Sequence, residues 1–135
     1  MTLVEVLLAL SIWGLAVAGI VKGYVFANTS AESFGLSLAA NSQASQRMEQ
    51  LRSAQWDTSS WPVVDQLTST NFSNQVVVLE SSANGIPLTY ATNFVTISTI
   101  STNPPLRRIR VDCVWCFQGN RLFTNTVETC RAPNQ

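Results

Sequence analysis

No histidine occurs among the 135 residues. That absence removes Ser-His and Cys-His nucleophile pairs, histidine metal sites and the C-x-x-C-H haem attachment pattern together, since the one C-x-x-C, Cys113 to Cys116, is followed by Phe117. Also missing are a G-x-G-x-x-G turn, a P-loop and any pair of carboxylates in a recognisable catalytic motif. The chain therefore reads as a non-enzyme, with no cofactor and no metal centre. Charge is scarce and balanced to a formal net of zero, so binding of nucleic acid or another polyanion gains no support. Two local absences matter more. No proline stands between positions 2 and 54, and no charged side chain stands between Val6 and Val21, where Ser11 alone is clearly polar.

What fills that stretch is an apolar run of about membrane-spanning length, "MTLVEVLLALSIWGLAVAGIVK", followed after Asn28 by sequence rich in Ser, Thr and Asn. A greasy stalk precedes a polar head. The lack of proline predicts one helix over residues 2–54, with Gly14, Gly19, Gly23 and Gly35 as its only weak points. At roughly 1.5 Å per residue it would be about 80 Å long, more than a small domain needs, so part of it must protrude. From Phe34 the apolar and small positions Phe34, Leu38, Ala44, Met48 and Leu51 are expected to lie in one stripe. Residues 1–28 thus form an apolar helix and residues 29–135 a head, divided into an amphipathic half-helix over 29–54, a loop region over 55–90 and an antiparallel sheet over 91–131.

The loop region takes its assignment from "QWDTSSWP" and "SANGIP", with "NQVVVLE" as its one strand candidate. The sheet takes three or four strands, including "FVTIST" near 94–99, "RRIRVDCVWCF" to Phe117 and "LFTNTVETC" to Cys130. The fold class is α+β. Alternation puts Ile109, Val111, Cys113, Trp115 and Phe117 on the face toward the helix, and Arg108, Arg110, Asp112 and Cys116 on the other. A three-residue turn centred on Asn120 would set Phe123 and Val127 opposite Phe117 and Cys113, with Cys130 facing outward as Cys116 does. The arginines of "RRIR", Arg107, Arg108 and Arg110, are read as a solvated strand face or as intersubunit ion pairs.

One residue resists this division. Glu5 puts a carboxylate near the start of an apolar helix, where an unpaired charge costs a few kcal/mol, so it needs a partner. The nearest cation is the chain's own α-amino group, roughly 6 Å away along a straight helix, and the amine of another copy serves equally once helices bundle.

Here the residues resemble a family. "MTLVEVLLALSIWG" is similar to the mature N-terminus of type IV pilins and pseudopilins, whose pattern places Thr at Thr2, Glu at Glu5 and Gly at Gly14. The likeness covers about 25 residues closely and the remaining chain in architecture alone. It implies a pilin fold: a long N-terminal helix with an antiparallel sheet packed on its second half. It also implies cleavage of a short leader by a prepilin peptidase, N-methylation at Met1, and Met1, Thr2, Glu5 and Gly14 as assembly residues. The expected partners are identical copies in a helical filament and the inner-membrane assembly machinery. The expected location is the bacterial inner membrane and then the cell surface, in a filament of the kind used for adhesion or secretion. Pilin-like proteins often close a C-terminal loop with a disulfide, which implies a bridge from Cys130 to one member of the C-x-x-C pair. Shared facing favours Cys116, although in a continuous hairpin the chain end would have to curl back to reach it.

Two departures bear on rank within the family. Lys22 stands where major pilins usually carry a proline, and "QRMEQLR" at 46–52 is closer to minor pilins and minor pseudopilins. The expected function is a structural subunit of a type IV pilus or related filament. The alternatives are a minor pseudopilin that primes or caps a type II secretion pseudopilus, and a single-pass anchored binding module.

Overall fold

The computed structural model describes residues 2–118 and 120–134, the side chain of Pro87 excepted. One helix, α1 (Leu3–Ser53), is followed by six strands: β1 (Trp56–Asp57), β2 (Val64–Asp65), β3 (Gln75–Ser81), β4 (Pro87–Thr102), β5 (Pro105–Phe117) and β6 (Arg121–Arg131). The protein is α+β, as its periodicities require. By internal contact it divides into residues 1–35 and residues 36–135.

The first unit is helix alone. Two of its hydroxyls bond back to the helix: Ser11 Oγ donates to the Leu7 carbonyl at 2.8 Å and Thr29 Oγ1 to that of Phe26 at 3.0 Å. Such back-bonding satisfies these two hydroxyls without water. Every described side chain from Thr2 to Asn28 is exposed.

The second unit has the core. Strands β3 to β6 form an antiparallel sheet in the order β3-β4-β5-β6, and β1 pairs with β2 in a separate two-stranded ribbon. Against the sheet lies the part of α1 within this unit, through Leu36, Ala40, Ala44, Met48 and Leu51, with Ala54 just beyond. Their spacing of four, four, four and three keeps one stripe of the helix facing one way. Opposite stand Ala91, Ile109, Val111, Cys113 and Trp115, while Trp56 and Leu67 fill the end of the core under the ribbon. Ala40 and Ala44 are fully buried, and side chains this small bring the helix backbone close to the sheet.

The expected stripe was therefore misplaced at its start. Phe34 and Leu38 are 75% and 73% exposed and are not part of the core cluster. Two residues are about 200° of helix, so positions 34 and 38 lie on the side of the helix away from Leu36. The expected burial along β5 is observed at Ile109, Val111, Cys113 and Trp115, with Phe117 half-buried against them.

The segment 55–90 holds more strand than its turn-rich composition suggests: β1, β2, β3 and the start of β4 all lie in it. Strand β4 extends seven residues before the "FVTIST" core, because Val76 to Val78 pair with Tyr90 to Thr92 and recruit that polar stretch into the ladder. The β5–β6 register differs from expectation by two residues. Phe123 is opposite Trp115 and Val127 opposite Val111, since the connection occupies 118–120, one residue earlier than a turn centred on Asn120. Asn120 takes a positive φ of 63°, which its short polar side chain tolerates, whereas the expected turn residue Gly119 is outside the described residues. A slip of two preserves facing, so the buried set survives.

The ribbon and the C-terminus are tied to the core by arginines. Arg107 shares the inward parity of Ile109, and this corrects its reading as part of a solvated face. Its guanidinium lies 4.5 Å above the Trp56 ring, meets both Asp65 oxygens at 2.8 and 2.7 Å, and donates to the Leu67 carbonyl at 2.8 Å. Arg131 donates to the Leu51 carbonyl at 3.0 Å in the last turn of α1, where a cation also suits the helix dipole. Arg131 and the main chain of Trp56 together hold Asn134.

Candidate functional site

The surface that most needs explaining is the apolar part of α1. This helix is long and apolar enough to cross a membrane, and none of its most apolar window is buried. Leu3, Leu10, Ile12, Trp13, Leu15, Ile20, Tyr24 and Phe26 are among its side chains more than 60% exposed. Continuous apolar surface of this extent is not left facing water; it is covered by lipid or by other protein.

At its N-terminal end Thr2 and Glu5 are joined by two reciprocal bonds. The Thr2 amide donates to Glu5 Oε2 at 2.8 Å, and the Glu5 amide donates to Thr2 Oγ1 at 3.4 Å. This is a capping box, with Thr2 as the N-cap and Glu5 three residues on, answering two amides that no helical carbonyl can reach. The carboxylate also sits at the positive end of the helix dipole. The signal was present in sequence as T-x-x-E ahead of an apolar run, and it gives Thr2 and Glu5 a local role in addition to the one the pilin resemblance implies. Glu5 Oε1 takes no hydrogen bond from the described residues.

Glu5 lines a shallow apolar recess along the helix with Val6, Ala9, Leu10 and Trp13. Ala9 is the smallest of these side chains and lies one turn from both Glu5 and Trp13, so the recess can admit a side chain or a second helix at close range. A Cβ added at Gly14 would meet nothing within 4 Å, so no in-chain packing requires that glycine. Met1, expected to carry the amine that meets Glu5, lies outside the described residues.

The head offers less chemistry. Among the described residues no group of three or more His, Cys, Asp or Glu side chains could hold a metal ion. Arg108 pairs with Glu128 at 3.0 Å and Arg110 with Asp112 at 2.9 Å on the outer face of the sheet, so the expected basic run is neutralised within its own chain. Further along that face Val78, Tyr90, Cys116 and Leu122 are exposed in a row that crosses the four strands.

The cysteines do not form the implied bridge: Cys113, Cys116 and Cys130 are all free. The register gives the reason. Cys130 is opposite Arg108 and Cys116 opposite Leu122. Eight residues of strand, about 26 Å, separate the two positions, against a Cα separation below about 7 Å in a disulfide. Cys113 is buried on the inner face, and loss of hydration pushes its thiol above the ordinary value, which suppresses the reactive thiolate. Across the buried face Asn93, Cys113 and Asn125 stand in one row. Asn125 accepts from Trp115 Nε1 at 2.9 Å and donates to Ser37 Oγ at 3.1 Å, while the buried Asn93 Oδ1 has no partner among the described residues.

Comparison with known proteins returns no matching family model, no matching curated protein and no matching solved structure.

Proposed function

We propose that the chain is a structural subunit of a type IV pilus or pilus-like extracellular filament. The observation that carries this reading is the apolar helix over residues 3–27, which has no cover within its own unit and begins with a carboxylate. Before assembly the helix spans the inner membrane, with the hydrophobic effect holding it there. On extraction, apolar stretches of neighbouring copies bundle into a core. Burial of apolar surface is worth about 25 cal/mol/Å² relative to water, but a helix leaving lipid forfeits most of that gain. Packing and charge must therefore direct the docking.

In this reading Met1 is the processed N-terminus and its amine meets Glu5 of a neighbour. The capping box makes the encounter specific: one carboxylate oxygen is held by the Thr2 amide and Oε1 remains for the incoming cation. Pairing neutralises a charge that would otherwise be buried alone, and it sets the axial register of successive copies.

A second reading, a minor pseudopilin of a type II secretion system, is favoured by one observation. Lys22 occupies the place where major pilins usually have a proline, and α1 runs unbroken through it from Leu3 to Ser53. Native filaments with this chain as their bulk component would exclude that reading. Mass spectrometry of the N-terminal peptide tests the proposal itself. Cleavage immediately before Met1 with a methylated amine is expected, and an uncleaved, unmethylated precursor would favour a single-pass anchored binding module.

A further inference from the structure

Residues 1–35 carry three charged side chains, Glu5, Lys22 and Glu32, and Lys22 is the only lysine of the chain. Lys22 stands among the exposed Val21, Tyr24, Val25 and Phe26. Its own helix cannot neutralise it. Side chains on a helix meet three or four residues apart, and no carboxylate lies within that distance of Lys22. The nearest, Glu32, is ten residues on, about 15 Å along the axis and beyond direct reach. The four ion pairs among the described residues join Glu49 to Arg52, Asp65 to Arg107, Arg108 to Glu128 and Arg110 to Asp112, and include neither Lys22 nor Glu32.

In a membrane this isolation is tolerable, because a lysine near the end of an apolar run extends its ammonium to the headgroups. In a bundle it is not. Once neighbouring helices cover Val21, Val25 and Phe26, the ammonium loses its water and needs a carboxylate from another chain. The corresponding segment of a neighbour offers Glu5 and Glu32. Glu5 is engaged at Oε2 by the Thr2 amide and is assigned above to a neighbour's amine. Glu32 is exposed and forms no ion pair among the described residues.

We propose that Lys22 of one copy pairs with Glu32 of a neighbouring copy in the assembled bundle. The partner is a second copy of this chain, and the inference rests on the filament reading above. With the helices parallel, as the filament reading requires, the pairing offsets them by ten residues, about 15 Å, give or take the reach of the two side chains. It is also heterologous: each copy presents a lysine to one neighbour and a glutamate to another, so the contact repeats along an open helix and does not close into a dimer. With the amine and Glu5, it brings every charge of the apolar unit into an interchain pair.

The test uses the full-length chain in cells that carry its assembly machinery, with immunoblots of the membrane pool and of sheared filaments. Lys22→Glu and Glu32→Lys should each leave a normal membrane pool and lower the filament fraction about tenfold or more. The double variant Lys22→Glu/Glu32→Lys restores opposite charges at the same two positions, and filaments should return to within about twofold of the unaltered chain. Wild-type filament levels in either single variant would overturn the pairing, as would a double variant no better than the singles. If the unaltered chain itself forms no filaments, the filament reading fails and takes the pairing with it. That outcome is distinct from filaments that ignore both charges.

Discussion

Residues 3–27 and residues 36–53 belong to the same helix, yet they meet opposite fates. The first stretch has leucine, isoleucine, valine and tryptophan on every side and buries none of them; the second is richer in Ser, Gln and Asn and builds the core. Bulk apolar content does not make a core. The second stretch succeeds because Leu36, Ala40, Ala44, Met48 and Leu51 fall on one stripe, with small residues at its centre, so a sheet can seat against it. The first has no such division into faces, which suits a lipid or several helical neighbours at once.

This contrast can be broken most forcefully at the tryptophans. Trp115 is 2% exposed and stacks on Phe123 at 4.9 Å between ring centroids, whereas Trp61 is 94% exposed. Trp115→Ala should destabilise the head by about 3–5 kcal/mol in the detergent-solubilised chain, and Trp61→Ala by less than about 0.5 kcal/mol. Equal thermal shifts for the two would contradict the assigned core.

A second pair lies on the helix itself. Leu51→Ala should cost about 2–5 kcal/mol, and Leu38→Ala should leave head unfolding unchanged. If Leu38→Ala instead abolishes filaments while the head remains stable, its exposed face belongs to a neighbour.

Arg107 tests the ribbon. Arg107→Ala removes a paired, partly buried guanidinium and should cost about 2 kcal/mol. The pH dependence follows from Asp65. The hydrogen bonds from Arg107 hold its carboxyl below the ordinary value, against a smaller opposing effect of burial. A depressed folded-state value means that this stabilisation is present above the unfolded carboxyl's pKa, near pH 4, and is lost as the pH falls further through the folded value. Acid titration should therefore loosen β1 and β2 below about pH 4, and Arg107→Ala should flatten that dependence.

The thiols give a comparison without a change in stability. Cys116 and Cys130 should react with a maleimide in the native chain and Cys113 only after unfolding. A native disulfide linking Cys116 to Cys130, seen by peptide mapping, would contradict the β5–β6 register.

Much of this architecture was legible in the sequence. The missing proline and the alternation along β5 were sufficient for a long helix and an antiparallel sheet with Ile109, Val111, Cys113 and Trp115 inward. The errors have physical causes. Phe34 and Leu38 are bulky, but the helix packs through Ala40 and Ala44, where closeness counts more than size. The early part of β4 is polar and becomes strand through pairing with β3, a long-range contact that no local pattern encodes. Arg107 shares the inward parity of Ile109, but its partners Asp65 and Trp56 come to it only in the fold. The capping box at Thr2 and Glu5 is written in the sequence as T-x-x-E, where Glu5 is the third residue of a helix as well as a charge in an apolar run.

That double role makes Glu5 the decisive position. Glu5→Gln keeps an oxygen able to accept from the Thr2 amide and deletes the charge, whereas Glu5→Ala deletes both. Immunoblots of membrane and sheared-filament fractions from cells producing Glu5→Gln test most directly whether the carboxylate guides one helix to the next. Normal leader cleavage, a full membrane pool and absent filaments are expected. Abundant normal filaments from Glu5→Gln would show that capping alone explains Glu5 and would contradict the docking role.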